Sequence, residues 1–566
     1  MLLIYISWFY VLFTSVNLGL VLDKITRAKS DDLVIYSIKG LFATTILASV
    51  WALFDRINWE FHTFLIVLNT GVFVKYKLEI TSVYRLFVAS IIALPKPLVL
   101  FLFANVLLIC AQCASIPFLF DNETYYIQTI KWLNEYGLVK GLGNVHIFLG
   151  QTSGWHITQS VYNFSFTYDN FNDLSGFCLL LGNLFAVQKL NAFFSNQIKT
   201  YLIVGLLPFA NVLLFQFISA PSPDVAVYII SFILFFYFIE SYKNCTVDAF
   251  KTIVVLSLFM IYCKPTSFLM MLLPLFILSL HFKILSSHLF SSFTMGLLLF
   301  GLFITKNTLL TGYPLFPLSG WSWGNYDYKV PGQLVDFYFN QKRLYRFFLT
   351  QEEYQSLSFI QKCSKWFSMN TISGLFNGLT VLLVVTIPYF IKKRISNKAY
   401  WFLYALMLIQ LAVLLVTSPQ YRFFIHFNLF FVFVIAASVL TSKKNITFFL
   451  YLSLLLTSIL LFFQFNYSSL TKNQFLRENS SFSMRNLLFP YQNSKLKTTF
   501  HLVKNGNLRY YSPDSKTFFW ANGNGKVPCV NEVQINYFGS RFHYVPQQRS
   551  ENIKDGFYSK KWLPND

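Results

Sequence analysis

PLVLFLFANVLLICAQCASIPFLFDNETYY, residues 97–126, is an apolar run that leads directly into two carboxylates, Asp121 and Glu123. A helix needs about 20 apolar residues to cross the hydrocarbon core of a bilayer, and this run has that length. Only 12% of the 566 residues are charged and 55% are hydrophobic, and the mean hydropathy is +0.51. This composition excludes an ordinary soluble domain and predicts an all-α polytopic membrane protein.

Similar apolar runs recur along the chain and predict roughly 12–14 transmembrane helices. The predicted spans are residues 3–22, 33–54, 60–75, 97–118, 174–189, 201–219, 225–241, 290–305, 371–390, 399–417, 422–440 and 447–465, with a weaker pair, 252–263 and 266–281, split by CKPTS. Residues 1–22 lack the basic start and the cleavage site of a signal peptide, so we expect them to remain as a helix.

Lys and Arg are concentrated in alternate loops. The rich set holds Lys24, Arg27, Lys29, Lys75, Lys77, Arg85, Lys96, Lys189, Lys199, Lys243, Lys251, Lys283, Lys392, Lys393, Arg394, Lys398, Lys443 and Lys444. The short loops of the other set hold only Arg56, Lys264 and Arg422. The positive-inside rule places the rich set in the cytoplasm, which predicts a multi-pass protein of the inner (cytoplasmic) membrane with both termini extracytoplasmic.

The unusual polar segments all fall on the predicted outer side. They are residues 119–173, 219–224, 264–267, 306–370, 418–422 and 466–566. The net charge of +21 agrees with basic cytoplasmic loops that contact anionic lipid, and no motif indicates a nucleic-acid partner. We therefore expect the function to lie in these outer loops, held by the membrane helices.

The first of these segments begins at the two carboxylates. Asp121 and Asn122 are residue types that favour a helix N-cap, and apolar residues then repeat at three-residue spacing. The pattern predicts a helix over 123–136 that ends at Gly137 and lies along the membrane interface. Two interpretations of Asp121 stay open at this point: a helix cap and a functional carboxylate.

Other ionisable residues are predicted on the same side. The set comprises the carboxylates Asp121, Glu123 and Asp224 and the bases Lys264, Lys306, Arg422 and His426. Each has a structural alternative, since Asp224 also suits a helix cap, and Lys264 and Arg422 also suit snorkelling at an interface. Charges deep within the predicted spans are nearly absent, which argues against an ion-coupled transporter.

These segments resemble the GT-C superfamily of integral-membrane glycosyltransferases, and more closely an uncharacterised family of bacterial polytopic proteins associated with surface-polysaccharide synthesis. The resemblance covers residues 97–440 and is carried by DNETYYIQTIKWLNEYGLVKGLGNVHIFLGQTSGWH (121–156), SAPSPD (219–224), KNTLLTGYPLFP (306–317) and SPQYRFF (418–424).

The resemblance also divides the chain. GT-C enzymes usually carry their acidic loop after the first span, whereas three predicted spans precede the span that leads into this one. We therefore expect an N-terminal module at 1–96, a GT-C-like core at 97–465 with outer loops 119–173 and 306–370, and an extracytoplasmic C-terminal region at 466–566.

The resemblance implies transfer of a sugar from a polyprenyl-phosphate donor to a glycan or lipid-linked acceptor outside the cytoplasm. It assigns Asp121 as the general base, with Glu123 as the alternate. Because these residues are basic and lie on the predicted outer side, we expect the donor phosphate to be bound by Arg422, Lys264, Lys306 and His426. The further candidates for substrate contact are Tyr125, Tyr126, Trp132, Asn144, His146, Trp155, His156 and Asp224.

No cofactor is required by this chemistry, although Asp121 and Glu123 are an alternative ligand pair for Mg²⁺ or Mn²⁺ beside the donor phosphate. Three other functions stay open. An O-antigen-type polysaccharide polymerase also needs cations on the outer side. A lipid-linked-oligosaccharide flippase needs a polar path through the bilayer and repeated broken helices. A non-catalytic assembly subunit needs no such charges.

The C-terminal region has a different composition, rich in Asn, Ser, Lys and Tyr. The runs KTTFHLV (497–503) and EVQINYF (532–538), separated by NGN and NGNG, predict a few strands and hairpins, and so a region of mixed or β character. Cys110 and Cys113 lie in an apolar run and are predicted to be core residues, not zinc or redox ligands.

Overall fold

Every apolar run that predicts a span is helical in the computed structural model, which describes residues 1–30, 32–168, 171–347, 349–395, 397–471, 473–515 and 518–561, without the side chains of 341–343 and 345–346. The first helices are α1 (Leu2–Thr26), α2 (Leu33–Trp51), α3 (Trp59–Lys75), α4 (Lys77–Ile92), α5 (Lys96–Cys113), α6 (Ile127–Glu135), α7 (Gly154–Val161), α8 (Leu174–Asn196), α9 (Lys199–Gly205), α10 (Asn211–Leu214), α11 (Pro223–Ser241) and α12 (Val247–Cys263).

The second half continues in the same way. Its helices are α13 (Leu272–Leu280), α14 (Phe282–Leu285), α15 (Leu289–Thr311), α16 (Gly332–Phe347), α17 (Gln351–Ser356), α18 (Phe359–Phe367), α19 (Ile372–Phe390), α20 (Lys398–Thr417), α21 (Ile425–Val439), α22 (Lys443–Phe462) and α23 (Glu532–Phe542). The strands are β1 (Phe500–Asn505), β2 (Leu508–Pro513), β3 (Tyr544–Gln548) and β4 (Phe557–Lys561).

Across the described ranges, 10 helical stretches are long and apolar enough to cross a membrane. They are Leu2–Thr26, Leu33–Trp51, Lys96–Cys113, Leu174–Asn196, Lys199–Phe217, Pro223–Ser241, Phe282–Thr311, Ile372–Ile395, Lys398–Thr417 and Lys443–Phe462. Pro265–Leu280 and Ile425–Val439 are shorter apolar helices. A multi-pass membrane protein is thus confirmed.

The predicted number of 12–14 spans is higher than the number of long apolar helices. Two of the predicted spans, 60–75 and 252–263, correspond to α3 and α12, which have 17 residues each. Both carry an acidic residue in their first turn, Glu60 and Asp248, so the apolar stretch of each helix is shorter than the helix itself. Neither helix is among the ten stretches or the two shorter ones.

Contacts between loops group the chain into two ends. At one end, Lys251 Nζ donates to Thr26 O at 2.6 Å, and Lys199 Nζ donates to Arg394 O at 2.6 Å. At the other end, Lys554 pairs with Asp55 at 3.2 Å. The loops that meet at the first end belong to the set rich in Lys and Arg, and those at the second end belong to the other set. We call the second end the Asp121 end; it holds residues 119–168, 171–173, 219–224, 264–267, 418–422, 466–471, 473–515 and 518–561.

The helix predicted over 123–136 is confirmed, but its surroundings differ from the prediction. A π-helical turn, Asn122–Tyr126, leads into α6, and Gly137 follows with a φ of +77°. The predicted N-cap is wrong, because the side chain of Asp121 makes no capping bond. The polar side chains of Gln128, Thr129 and Asn134 on this helix are buried.

The C-terminal region covers this helix. Gln128 Nε2 donates to Gly523 O and Gly525 O at 3.0 Å. Lys131 Nζ donates to Gly525 O at 3.2 Å, and Trp132 packs edge-on against Phe557 with ring centroids 5.7 Å apart. This C-terminal region, which we call the tail, is therefore packed onto the loop that begins with Asp121.

Within the tail, one predicted strand is correct and the other is wrong. β1 and β2 form an antiparallel hairpin that places Asn505 opposite Leu508 around the predicted NGN turn. The segment EVQINYF forms α23 instead of a strand, because Asn531 caps it through Val533 N at 3.0 Å. Glu532 in its first turn adds a favourable charge at the helix N-terminus. β3 and β4 form a second antiparallel pair.

Glu123 is the main anchor between the acidic loop and the tail. Its carboxylate accepts hydrogen bonds from Ser494 Oγ at 2.5 Å and from the backbone N–H groups of Lys495 at 2.8 Å and Leu496 at 3.4 Å. Its carbonyl oxygen accepts bonds from Asn522 N at 2.9 Å and Gly523 N at 3.0 Å. The side chain is buried.

We predict that Glu123→Ala loosens the tail. The substitution leaves the part-buried Lys495 N–H and the Ser494 hydroxyl group without the carboxylate that accepts their hydrogen bonds, at a cost of about 1–3 kcal/mol. Thermal unfolding of the purified protein and limited proteolysis of residues 466–561 measure the effect. The exposed Glu551→Ala is the control. Equal midpoints and equal cleavage rates for the two variants would contradict the anchoring role.

Candidate active site at the Asp121 end

An ion pair joins the acidic loop to the loop between α20 and α21. Asp121 follows α5 and directly precedes the π-helical turn, so its side chain comes to a defined position. Arg422 lies on a short 3₁₀ turn, Tyr421–Phe423. Arg422 Nη1 donates a hydrogen bond to Asp121 Oδ2, and the two side chains keep 29% and 16% of their exposure. The pair is thus half-buried and reachable from outside.

Two further charged residues extend this pair. Asp224 lies in the first turn of α11, after Pro223, and its Oδ2 is 3.9 Å from Arg422 Nη1. Lys264, the residue that ends α12, pairs with Oδ1 of the same carboxylate. We call Asp121, Arg422, Asp224 and Lys264 the ion cluster. In this cluster the charges of two cations and two carboxylates, from four separate parts of the chain, neutralise one another.

Neighbouring side chains hold the cations in place. Arg422 Nε donates to Gln420 Oε1 at 2.7 Å, and Tyr228 O–H donates to the carbonyl of Arg422 at 2.7 Å. Lys264 Nζ lies 4.0 Å from the centre of the Phe423 ring, within the range of a cation–π contact. The guanidinium therefore has one fixed orientation toward the two carboxylates.

The environment keeps Arg422 charged. Burial by itself lowers the pKa of Arg422, but the charge of Asp121 and its hydrogen bond outweigh burial, so the pKa of the guanidinium is raised. Half-buried cations of this kind are stable only beside anions. A phosphate that replaced either carboxylate would preserve that condition, whereas a neutral ligand would not.

Lys306 and His426, the other predicted phosphate ligands, have other neighbours. Lys306 Nζ donates to Thr152 O at 2.6 Å and to Asn307 Oδ1 at 2.7 Å. The ring of His426 packs against Phe427 at 4.6 Å, and its two nitrogens have no hydrogen-bond partner among the described residues. The structure does not place either residue in the ion cluster.

Glu123, the alternate base, is bonded to the tail and not to the ion cluster. Burial raises the pKa of Glu123, while its hydrogen bonds with Ser494 and Lys495 lower it in part. Asp121 and Glu123 therefore have different hydrogen-bond partners. Among the described residues, no group of three or more His, Cys, Asp and Glu is arranged to hold a metal ion.

A chain of aromatic rings extends from the ion cluster toward the tail. Tyr126 lies 4.6 Å from the His156 ring and 4.8 Å from Tyr125. Tyr125 lies 5.4 Å from Phe148, and Phe148 lies 4.8 Å from Trp520 of the tail. The sequence predicted three members of this chain but not Phe148 or Trp520, since nothing in their local pattern marks them.

The remaining predicted contact residues are built into the packing. Trp155 is fully buried and its Nε1 donates to Ser175 Oγ at 3.2 Å. Asn144 Nδ2 donates to Gly141 O at 2.9 Å and to Tyr328 O at 2.8 Å. Trp132 is buried beneath the tail. These side chains shape the loop instead of facing the ion cluster.

An apolar groove lies between α13 and α20, the helices that lead to Lys264 and Arg422. It has a volume of about 230 Å³, and its lining includes Leu272, Leu275, Phe276, Phe402 and Leu406. The rings of Phe276 and Phe402 stack at 4.0 Å. Gln410 Nε2 donates to Thr266 O at 3.0 Å and ties α20 to the chain that follows Lys264. We call this feature the apolar groove.

Comparison with known proteins identifies a family for the chain. A family model described as Domain of unknown function (DUF8201) matches residues 1–429. No curated protein matches the chain, and no solved structure matches it. The matched part contains the whole ion cluster and the apolar groove, whereas Trp520 and the rest of the tail lie beyond it.

We predict that His146 makes the protein sensitive to acid. Burial lowers the pKa of His146 from 6.5 to about 3. Between these values the unfolded state binds more protons than the folded state, so stability is lost as pH falls from about 6.5. In the wild type, Phe148 N donates a hydrogen bond to His146 Nδ1 at 3.3 Å. His146→Asn removes the titrating group, and with it this loss of stability, but keeps a side-chain acceptor for Phe148 N.

Thermal unfolding between pH 7 and pH 4 measures the effect. We expect the midpoint of His146→Asn to fall less with acid than that of the wild type. Some dependence remains, because burial also lowers the pKa of His156 to about 3. Identical pH profiles for the two proteins would contradict the prediction.

Proposed function

This chain belongs to the DUF8201 family, and we propose that it is a membrane glycosyltransferase that moves a sugar from a polyprenyl-phosphate donor to a cell-surface glycan or lipid-linked acceptor. The observation that carries the proposal is the ion cluster, together with the apolar groove on the helices that lead to it. A lipid phosphate has an anionic head for Arg422 and Lys264 and an apolar chain for the groove.

The ion cluster is suited to bind a phosphate group reversibly. Arg422 presents a planar guanidinium, which can bind two phosphate oxygens at once, and Lys264 adds a point charge. Without a donor, Asp121 and Asp224 neutralise these cations. When the donor binds, its phosphate takes over the contacts of Arg422, and the carboxylate of Asp121 is released.

The released carboxylate is the proposed general base. The hydroxyl oxygen of the acceptor forms a bond to the anomeric carbon as its proton passes to Asp121. The bond between that carbon and the phosphate oxygen breaks, and the polyprenyl phosphate leaves with both bonding electrons. Arg422 and Lys264 stabilise the negative charge that develops on the leaving phosphate.

Asp121 suits this role better than Glu123. The Asp121 carboxylate keeps 16% of its exposure and bonds to a cation that a phosphate can also occupy. The Glu123 carboxylate is buried and bonds to the tail through Ser494, Lys495 and Leu496. An acceptor hydroxyl can approach the first carboxylate without displacing part of the fold.

The apolar groove and the aromatic chain suit the two ends of the donor. Lys264 lies eight residues before Leu272, which lines the groove, and the chain between them is a 3₁₀ helix, Pro265–Met271. The two residues are therefore about 16 Å apart along the helix axis. An isoprenoid chain covers such a distance easily. Tyr125, which is only partly buried, offers a ring on which a sugar can stack.

We predict that Asp121→Asn abolishes transfer without unfolding the protein. Asn keeps the shape of the side chain but accepts no proton, and loss of a general base lowers the rate about 10²–10⁴-fold. The measurement is the structure of the surface glycan, by mass spectrometry, in cells that carry the variant at equal membrane abundance.

Glu60→Gln is the matched control, because it removes a carboxylate at the Asp121 end that pairs with Arg56 instead of the ion cluster. We expect this control to make the normal glycan and Asp121→Asn to lack a sugar or a linkage. A normal glycan from Asp121→Asn would contradict the proposal. A glycan of unchanged composition but altered chain length would indicate a polymerase instead.

A further inference from the structure

A second cavity at the Asp121 end is lined with amide side chains. It has a volume of about 180 Å³, and no residue of the ion cluster lines it. Its polar lining includes Asn58, Asn134, Asn163, Ser165, Asn172 and Asn493. We call it the amide cavity. Its residues come from α6, from the loop before α3, from the loop between α7 and α8 and from the tail, so only the complete fold forms it.

Hydrogen bonds hold the amides in fixed positions. Asn134 Nδ2 donates to Ile57 O at 2.7 Å and to Ser160 O at 2.8 Å. Asn58 Nδ2 donates to Asn134 O at 2.9 Å, and Asn172 Nδ2 donates to Asn493 Oδ1 at 3.0 Å. Side chains that are already fixed lose little entropy when a ligand binds, which favours recognition.

Two oxygen atoms on these residues are left without a partner. Asn134 is 2% exposed, and within the described ranges neither its Oδ1 nor the Oγ of Ser165 makes a hydrogen bond. An unpaired buried acceptor is costly, so native structures seldom keep one without a reason. Both atoms can accept a hydrogen bond from a hydroxyl group.

The size and mixed lining of the amide cavity restrict the ligand. A cavity of about 150 Å³ accommodates benzene, so this cavity is large enough for one six-membered ring. Ile127 and Ile130 supply an apolar surface, while Lys131 and the exposed Glu135 lie at its rim. Amides act as both donors and acceptors, as hydroxyl groups do. A ring with hydroxyl groups and one apolar C–H face fits this lining.

We propose that the amide cavity binds one pyranose unit of a glycan. The cavity lies on α6, which continues from the turn that follows Asp121. The inference goes beyond the proposed function, because binding at the amide cavity requires no transfer at the ion cluster. It assigns the Asp121 end a glycan site separate from the donor site.

Saturation-transfer NMR on the purified full chain tests the inference. The probes are the methyl glycosides of glucose, galactose, mannose and N-acetylglucosamine. Ser165→Phe places a ring in the cavity, and we expect at least about tenfold weaker binding, as overpacking of a fitted site predicts. Ser165→Ala removes only the hydroxyl group and should weaken binding by about two- to tenfold.

Two other variants serve as controls. Thr167→Phe adds the same ring at an exposed position of the same loop, outside the cavity lining, and should bind like the wild type. Asp121→Asn should also keep full binding, which separates this inference from the proposed function. The inference is overturned if the wild type binds none of the four glycosides at millimolar concentration, or if both Ser165 variants bind as well as the wild type.

Discussion

The guanidinium of Arg422, shared between Asp121 and Asp224, is the interaction on which the Asp121 end depends. The three residues come from the loop after α5, the start of α11 and the turn between α20 and α21, and Lys264 adds the end of α12. Each charge would be costly in this half-buried place without the others. The helices are therefore held in one arrangement by groups that also form the proposed phosphate site.

The same segment of chain contributes to a second structure. Asp121 faces the ion cluster, while Glu123, two residues later, faces the tail and accepts its backbone N–H groups. The tail then supplies Trp520 to the aromatic chain and Asn493 to the amide cavity. One short π-helical turn thus joins the membrane helices to the covering region, which explains why two neighbouring carboxylates have different roles in the fold.

Much of the fold could be predicted from local pattern, and much of the site could not. Apolar runs predicted the helices because hydropathy is a property of consecutive residues. By charge and predicted side, Lys264 and Lys306 were equal candidates for binding the donor phosphate. Only Lys264 reaches the ion cluster, because packing decides which way each helix turns its side chains. The strand predicted over EVQINYF is a helix because its Asn531 cap outweighs the β-propensity of its residues. Trp520 reaches its ring partners only through tertiary folding.

The most direct test of the phosphate site is the thermal unfolding of the purified protein with farnesyl phosphate and with farnesol. A ligand that binds only the folded state raises the midpoint in proportion to its affinity. We expect farnesyl phosphate to stabilise the wild type more than farnesol does, and Arg422→Gln to remove that difference. Equal stabilisation of the wild type by the phosphate and the alcohol would contradict a phosphate site at Arg422.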